Sequence, residues 1–204
     1  VFREILQDIG EEKLKYTFVY APQGNYEHSE LEEEYDCNSF IQRLLDETKA
    51  IYPNKRCNTF VGTDSKDKRA TLLKAFGQGT IDVLFAMKCL DEGVDVPRAE
   101  CGIFTSSTGN PREFIQRRGR LLRNHAEKTF SYIYDMVVIP STINREECNS
   151  SMERNQVKSE LKRVAYFASL AVNCYANNGA YEVLNGVAQH FGIVWSELFE
   201  DVEQ

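Results

Sequence analysis

No Gly-Lys dipeptide occurs among the 204 residues of this chain. The chain therefore lacks the phosphate loop G-x-x-x-x-G-K-[ST], in which backbone amides and a lysine hold the phosphates of a nucleotide. A free-standing nucleotide-binding α/β protein needs such a glycine-rich loop, so that class of protein is not favoured.

The chain is also short of paired cysteines and of long apolar runs. Its six cysteines form no C-x-x-C pair, and only three histidines accompany them. This favours isolated reduced thiols of an intracellular protein over a zinc or disulfide framework. No run approaches the roughly 20 apolar residues that cross a bilayer, and nothing at the start resembles a signal peptide. We therefore expect a soluble, cytoplasmic protein with no metal site and no membrane partner, and the start at Val1 suggests a piece of a longer protein.

Charge is distributed unevenly along the chain. The formal net charge is −7, which ordinarily argues against nucleic acid as a partner. The stretch EHSELEEEYD (27–36) holds six carboxylates and no lysine or arginine, as is typical of a solvated loop. Residues 111–128, in contrast, carry six Lys or Arg residues against two glutamates. The positive charge is therefore concentrated in one segment, and the question is what it binds.

Strand and helix patterns alternate between residues 15 and 140. We predict strands at 15–22, 57–62, 81–87, 100–107 and 129–139, and helices at 40–52, 65–76 and across the arginine-rich segment 110–125. Such alternation predicts an α/β fold with a mainly parallel sheet and helices on both faces. In sheets of this kind, ligands bind at the carboxyl ends of the strands.

The pattern changes after Pro140. Residues 141–151 read as a linker, and apolar residues then recur at spacings of four and three, which predicts a helix of more than five turns; they are Val157, Leu161, Val164, Ala168 and Ala171. A second helix is predicted at 181–191. We therefore expect a domain at 1–140, a linker at 141–151 and a helical extension at 152–204, which either caps the core or binds a neighbour.

The arginine-rich segment has a well-specified helix start. Asn110 is a favoured N-cap, Pro111 suits the first turn, and Glu113 lies three residues after the cap. At 100° per residue, two groups of side chains fall on opposite sides of this helix. An apolar arc of about 120° is expected to dock on the sheet (Phe114, Ile115, Leu121, Leu122), and an arc of about 60° is expected to face outward (Gln116, Arg120, Arg123). Arg118 points along the apolar arc, so either its stem snorkels or Gly119 ends the helix early.

Surface helices often carry arginine for solubility, and that alternative predicts interspersed glutamates. None occurs between Glu113 and Glu127, whereas ion pairing along a helix would favour glutamate at the i+4 positions. Planar guanidinium groups aligned on one face suit the recognition of phosphate or carboxylate. We therefore interpret this face as an anion-binding surface.

Four segments resemble the conserved motifs of superfamily 2 helicases, in the same order. QRRGRLLR (116–123) resembles motif VI, Q-x-x-G-R-x-x-R, and AMKCLDEGVDVP (86–97) resembles motif V with Gly93 and Asp95 at its core. FVGTDSKDKRATLLKAFGQGTIDVLF (60–85) resembles the stretch before motif V, and FVYAP (18–22) resembles motif IV. The residues LDEGVDVP (90–97) and QRRGRLLR (116–123) are more similar to the DEAH-like branch and to the motor subunits of restriction enzymes than to DEAD-box RNA helicases.

The resemblance implies the second RecA-like motor domain of such a protein. ATP and Mg²⁺ would be held mainly by an N-terminal RecA-like domain that carries the phosphate loop, so the present chain alone is expected to be inactive as an ATP hydrolase. Arg120 and Arg123 match the arginine fingers that stabilise the charge on the γ-phosphate. Gln116 and Gly119, together with Gly93 and Asp95, match the nucleotide-binding positions. The alternative for Asp95, which we favour less, is a structural ion pair with an arginine.

The same resemblance implies contacts with a nucleic-acid backbone from loops at strand ends. The matching residues are Gly62, Thr63, Met87 and Lys88. Thr63 and Lys88 have equally ordinary explanations as surface residues. Met87 stands where motif V commonly carries a threonine, which weakens that particular contact, although Lys88 beside it could bind a phosphate electrostatically.

The leading hypothesis is thus the C-terminal motor half of an ATP-dependent helicase or translocase that acts on nucleic acid, with DNA favoured over RNA. A fused or associated nuclease or recognition subunit is a further partner that the resemblance allows. The alternative is a non-enzymatic, motor-like module that binds nucleic acid or protein. The retained glycine, glutamine and arginines of motifs V and VI argue against that alternative.

Overall fold

The computed structural model describes residues 1–22, 37–87, 98–105, 111–140 and 151–199, without the side chains of 37–39, 111–114 and 151–152. The chain divides into two compact units, Val1–Met136 and Val137–Gln204. The predicted domain boundary at residue 140 lies near this division. Residues 141–150 of the predicted linker fall outside the described residues, so the linker stays a prediction.

The first unit is built on a five-stranded sheet in which every pair of neighbouring strands is parallel. The strands are β1 (Thr17–Tyr20), β2 (Cys57–Phe60), β3 (Val83–Ala86), β4 (Cys101–Phe104) and β5 (Tyr132–Asp135), in the order β2-β3-β1-β4-β5. The helices are α1 (Phe2–Lys13), α2 (Cys37–Ile51), α3 (Lys66–Gly77) and α4 (Pro111–Leu121). The predicted α/β class with a parallel sheet is confirmed.

Apolar strands explain why helices cover both faces. Successive side chains of a strand point to opposite faces, and β1 and β3 are buried along their whole length, as expected when both faces are covered. On one face Phe18 packs with Phe76 of α3, ring centroids 4.6 Å apart, and with Leu121 of α4. On the other face Val19 packs with apolar residues of α1 and α2. Two cores therefore hold the sheet in the middle layer.

Gly102 of β4 sets how closely α4 approaches the sheet. A Cβ at this position would lie 2.1 Å from Cδ1 of Leu121 and 3.2 Å from Cε2 of Phe104. Leu121 is fully buried, so α4 can reach this depth only over a residue without a side chain.

We therefore expect Gly102→Ala to lower the free energy of unfolding by about 1–3 kcal/mol, because the methyl group overpacks the contact between α4 and β4. Urea unfolding followed by circular dichroism measures this change. Gly77→Ala in α3 is the matched control, since a Cβ there meets no atom within 4 Å, and it should be neutral or slightly stabilising. Equal destabilisation by both substitutions would contradict the close approach of α4.

The second unit is helical in its described part. It contains α5 (Ser151–Ser169), α6 (Ala180–His190) and a 3₁₀ helix (Trp195–Leu198). Val157, Leu161 and Val164 are buried along α5, as the sequence spacing predicts. Glu197 accepts hydrogen bonds from Lys158 (2.7 Å) and Arg154 (3.1 Å), which ties the 3₁₀ helix to α5. Hydrogen bonds from Lys158 and from the Val194 amide lower the pKa of Glu197 to about 2.

The structure describes the side chains of three cysteines, and it also gives the length and polarity of the described helices. Cys57, Cys101 and Cys174 are free, and burial raises the pKa of Cys57 to about 11 and that of Cys101 to about 12. These two thiols therefore stay protonated and unreactive near neutral pH. Among the described helices, none is both long enough and apolar enough to span a membrane.

Candidate nucleotide and nucleic-acid surfaces

The carboxyl ends of all five strands lie at one edge of the sheet. The strand register places their last residues side by side, in the order Phe60, Ala86, Tyr20, Phe104 and Asp135. Hydrogen bonds extend the ladder past these residues, with the Ala21 amide on the Ala86 carbonyl (2.9 Å) and the Met136 amide on the Phe104 carbonyl (3.0 Å). The last residues of the five strands, and the described residues that directly follow them, therefore lie next to one another.

The turn after β2 presents Gly62 and Thr63 at this edge. Both residues are exposed. The Asp64 carboxylate accepts a hydrogen bond from the Val61 amide (3.2 Å) and forms an ion pair with Lys68. Burial raises the pKa of Asp64, but the hydrogen bonds from Lys68 and Val61 outweigh that effect and hold the pKa below its usual value. The turn is therefore fixed at its base while its tip faces solvent.

Helix α3 begins directly after this turn. Ser65 is the N-cap, and its hydroxyl accepts a hydrogen bond from the Lys68 amide (3.2 Å). Capping of this kind satisfies one of the amides that the first turn of a helix leaves without a partner. The sequence prediction of a helix that starts at this serine is confirmed.

Met87 follows β3, the strand next to β2, and lies close to the Gly62 turn in the fold. Its side chain is half-buried and packs against the core formed with α1 and α2. Its chief contacts are thus internal. Lys88, Gly93 and Asp95 lie outside the described residues, as does the acidic run 27–36.

Helix α4 buries two arginines, whereas two of the four residues of the predicted apolar arc are exposed; the side chain of Phe114 lies outside the described residues. Arg118 is 1% exposed and Arg117 is 7% exposed, whereas Ile115 and Leu122 are 55% and 50% exposed. The predicted docking of Ile115 and Leu122 on the sheet is therefore wrong, while that of Leu121 is confirmed. The buried face is turned by about 50° from the predicted one.

The end of the sheet explains why Arg118 is buried. Its guanidinium lies over the Phe104 ring, 4.2 Å from the ring centroid, and forms an ion pair with Asp135. Phe104 and Asp135 are the last residues of β4 and β5, so they are neighbours in register. A cation–π contact and an ion pair together replace the hydration that a buried guanidinium loses. Arg118 therefore locks the rotation of α4 on the sheet.

The opposite face of α4 carries the predicted nucleotide-facing residues. Gln116, Gly119 and Arg123 are exposed, and Arg120 is half-buried. Arg123 lies two residues beyond the last residue of α4, whereas Arg120 lies on the flank of the helix, at about 110° from the centre of the buried face.

Hydrogen bonds hold the C-terminal end of α4 near the start of β5. Ser131, which precedes the first residue of β5, donates from its hydroxyl to the Leu121 carbonyl (2.6 Å). The Lys128 ammonium donates to the carbonyls of Leu121 and Arg123, the latter at 2.9 Å. Arg123 is therefore at the amino edge of the sheet. The structure brings Gly62, Thr63 and Met87 together at one edge but does not bring Arg123 to them.

A polar cluster at this end of α4 was not found from the sequence. We call it the end cluster; its members are Arg98, Glu100, Glu127, Lys128 and Ser131. Arg98 pairs with Glu100 and with Glu127 (3.4 Å), and its guanidinium lies 4.0 Å from the centroid of the Tyr16 ring. Burial lowers the pKa of Lys128, and Arg98 adds to this while Glu100 opposes it. The helix-end carbonyls are bound by residues five to ten positions downstream, and no local sequence pattern predicts such a pairing.

Within the described ranges, the groove of the second unit and the His, Cys, Asp and Glu side chains add nothing to the predicted site. A groove of about 670 Å³ lies in the second unit, lined by Ile139, Pro140, Val183, Val187 and Phe191 among others. None of the predicted site residues lines it. No group of three or more His, Cys, Asp or Glu side chains is arranged to hold a metal ion within those same ranges.

The fold and these two surfaces define a RecA-like α/β domain without a phosphate loop. The C-terminal domain of the DEAD-box protein Dbp5 superposes with a TM-score of 0.53 at 14% identity, covering 92% of this chain and 90% of that one. The Mycobacterium smegmatis helicase Lhr, solved with single-stranded DNA and AMP-PNP, gives 0.53 at 15% identity over 83% of this chain and 19% of its own. At these identities the similarity concerns the fold, and the predicted RecA-like fold is confirmed.

The family follows from the sequence. Residues 18–125 match the family model described as the helicase conserved C-terminal domain, and the chain belongs to this family. The prediction of a second RecA-like domain from a superfamily 2 helicase or translocase is confirmed. The assignment to the DEAH-like branch stays a prediction.

Curated relatives match over short stretches of much longer proteins. The DNA 3'-5' translocase XPB2 of Sulfurisphaera tokodaii is 45% identical over 58 residues, which are 28% of this chain and 13% of the translocase. Dicer-like protein 2 of Neurospora crassa is 36% identical over 88 residues, which are 43% of this chain and 5% of that protein. The matched region thus spans a small fraction of either relative.

Proposed function

We propose that this chain is the C-terminal motor half of an ATP-dependent helicase or translocase. The observation that carries the proposal is the orientation of α4, in which Arg118 is locked against Phe104 and Asp135 while Gln116 and Arg123 face outward. An N-terminal RecA-like domain of the same protein would hold ATP and Mg²⁺ with its phosphate loop. The exposed face of α4 would then close over the triphosphate.

In this arrangement the chain contributes positive charge to the transition state. The guanidinium of Arg123, and that of Arg120 beside it, would bind oxygens of the γ-phosphate as charge builds there during phosphoryl transfer. Gln116 and Gly119 would line the nucleotide on the same face, and Gly93 and Asp95 would approach it from the motif V segment. Permanently charged planar groups suit this role, because they need no proton and can bind two oxygens at once.

Nucleic acid would cross the carboxyl edge of the sheet, away from the arginine face. Gly62 and Thr63 are presented there on a fixed turn, and a backbone amide and a hydroxyl can bind phosphates without regard to sequence. Lys88 would add charge, while Met87 would support the loop from the core. Similarity to a DNA 3'-5' translocase favours DNA over RNA. Opening and closing of the cleft between the two halves would move the strand across this edge.

The remaining assignments follow from the same proposal. We assign the chain to the DEAH-like or restriction-motor branch, with domain limits at 1–140 and 152–204 joined by a linker at 141–151. A nuclease or recognition subunit, fused or associated, would supply the biological target.

The proposal that this chain forms only half of the ATP-hydrolysing site is tested by comparing residues 1–204 alone with the intact protein. We expect DNA-stimulated ATP hydrolysis in the intact protein and turnover at the buffer background for the isolated chain, because the chain has no phosphate loop. Repurification of the isolated chain controls for contaminating ATPases. Turnover by the isolated chain that survives repurification would contradict the proposal. DNA binding without hydrolysis by the intact protein would instead favour the non-enzymatic module.

A further inference from the structure

The end of a helix that carries a catalytic arginine must be held in place. The last four carbonyls of a helix have no intrahelical partner, and an unrestrained last turn frays. Arg123 lies two residues beyond the last residue of α4, so its backbone is outside the regular helix. The direction in which its side chain leaves the backbone therefore depends on the groups that bind the carbonyls at the end of α4.

Lys128 binds both carbonyls that define this end. Its ammonium donates to the Leu121 carbonyl and to the Arg123 carbonyl, the latter at 2.9 Å. The hydrogen bond to the Arg123 carbonyl fixes the backbone of Arg123 directly. A cation at a helix C-terminus is also favoured by the helix dipole.

The rest of the end cluster holds Lys128 where it is. The Lys128 amide donates to the His125 carbonyl (3.0 Å), which closes the loop after α4. The neighbouring Glu127 is anchored by Arg98, whose guanidinium is stacked on Tyr16. Arg98 directly follows the motif V segment, so this cluster connects the exits of both predicted nucleotide-facing segments. Lys128 is thus the link between the sheet and the Arg123 backbone.

We propose that Lys128 is a positioning residue for Arg123. By binding the carbonyls of Leu121 and Arg123, it fixes the direction in which the guanidinium leaves α4. This inference rests on the proposed function. It adds a residue outside motif VI on which the action of the arginine depends.

The test is a double-mutant cycle in the intact protein, measured as DNA-stimulated ATP turnover. We expect Lys128→Met to lower kcat by about 10- to 100-fold, as displacement of a catalytic group by about 1 Å does, with the KM for ATP changed less than about threefold. In an Arg123→Ala background the same substitution should change kcat by less than about twofold, because its effect passes through the missing side chain. Lys128→Arg, which keeps a cationic donor, should restore part of the activity.

Lys49→Met is the matched control, since Lys49 is an exposed lysine in the last turn of α2, and it should leave kcat unchanged. An equal loss from Lys128→Met with and without Arg123 would mean a purely structural role and would overturn the inference. Wild-type kcat in Lys128→Met would overturn it as well. If Arg123→Ala itself keeps wild-type turnover, the proposed function is wrong. This outcome is distinct from a failure of the positioning role of Lys128, in which Arg123→Ala loses turnover and Lys128→Met does not.

A second variant covers the case in which Lys128→Met does not fold. Ser131→Ala removes the 2.6 Å hydrogen bond to the Leu121 carbonyl and leaves Lys128 in place. A fall in kcat of several-fold that disappears in the Arg123→Ala background supports positioning of the α4 end. The same factor in both backgrounds contradicts it.

Discussion

Arg123→Ala in the intact protein is expected to lower the kcat for ATP hydrolysis by roughly 10³-fold or more, as the loss of an arginine finger does in other phosphoryl-transfer enzymes. In the proposed mechanism, the guanidinium would neutralise charge that develops on the γ-phosphate in the transition state. The KM for ATP should change little, because the phosphate loop of the proposed N-terminal half would supply ground-state binding. Steady-state turnover at saturating DNA measures both constants.

Arg120→Ala is expected to have an effect of the same order, although Arg120 is half-buried on the flank of α4 and Arg123 is exposed just beyond the end of the helix. Arg43→Ala is a suitable control, because Arg43 is an exposed arginine of α2 and should leave turnover unchanged. Wild-type turnover in both the Arg120 and the Arg123 variants would remove the role assigned to the outer face of α4.

Arg118→Met is expected to lower the free energy of unfolding of the chain by about 3–5 kcal/mol. The Arg118 side chain is 2% exposed and that of Asp135 is 14% exposed, so the substitution leaves a nearly buried carboxylate without its cation. Loss of the cation–π contact with Phe104 adds to the effect. Equilibrium unfolding in urea measures the change.

A second substitution separates charge burial from packing. In Arg118→Met/Asp135→Leu both charges are gone, and most of the stability should return, because apolar residues of similar volume often replace a buried ion pair without loss. Arg43→Met, at an exposed position, should lie within about 0.5 kcal/mol of the wild type. If Arg118→Met proves as stable as that control, the ion pair does not lock α4 and the orientation of its outer face loses its explanation.

The sheet and its helices could be predicted from sequence because the signals are local. The apolar run 81–87 predicts β3, and the segment 65–76 predicts α3 to within one residue at each end. Helix α1 is not among the predicted helices, although Phe2, Leu6 and Ile9 lie on one buried face. Their spacing of four and three residues is typical of a helix, so a local signal for α1 is present in the sequence.

The orientation of α4 could not be predicted in the same way. Side-chain polarity alone assigns Ile115 and Leu122 to the core and makes Arg118 an exception. What decides the outcome is the pair of partners at the strand ends, Phe104 and Asp135, which are adjacent only after the parallel sheet has formed. Burial of an arginine depends on such non-local partners, whereas an apolar pattern can be recognised from the sequence of the helix alone.

The predicted site residues lie at two opposite edges of the sheet, and this separation also depends on the fold rather than on sequence order. Sequence order places motifs V and VI close together, but α4 runs from the carboxyl edge of the sheet back to the amino edge, because it must return the chain to the start of a parallel strand. Gly62, Thr63 and Met87 therefore stay at one edge while Arg123 lies at the other. Two surfaces on one body suit a motor half that meets a nucleotide on one side and nucleic acid on another.

The most direct test of the central claim is the structure of the intact protein with Mg²⁺ and a non-hydrolysable ATP analogue. The account predicts that the guanidinium groups of Arg123 and Arg120 lie within about 3 Å of γ-phosphate oxygens, while a phosphate loop from the other half holds the triphosphate. A nucleotide bound entirely by the other half, with the outer face of α4 turned away from it, would contradict the account.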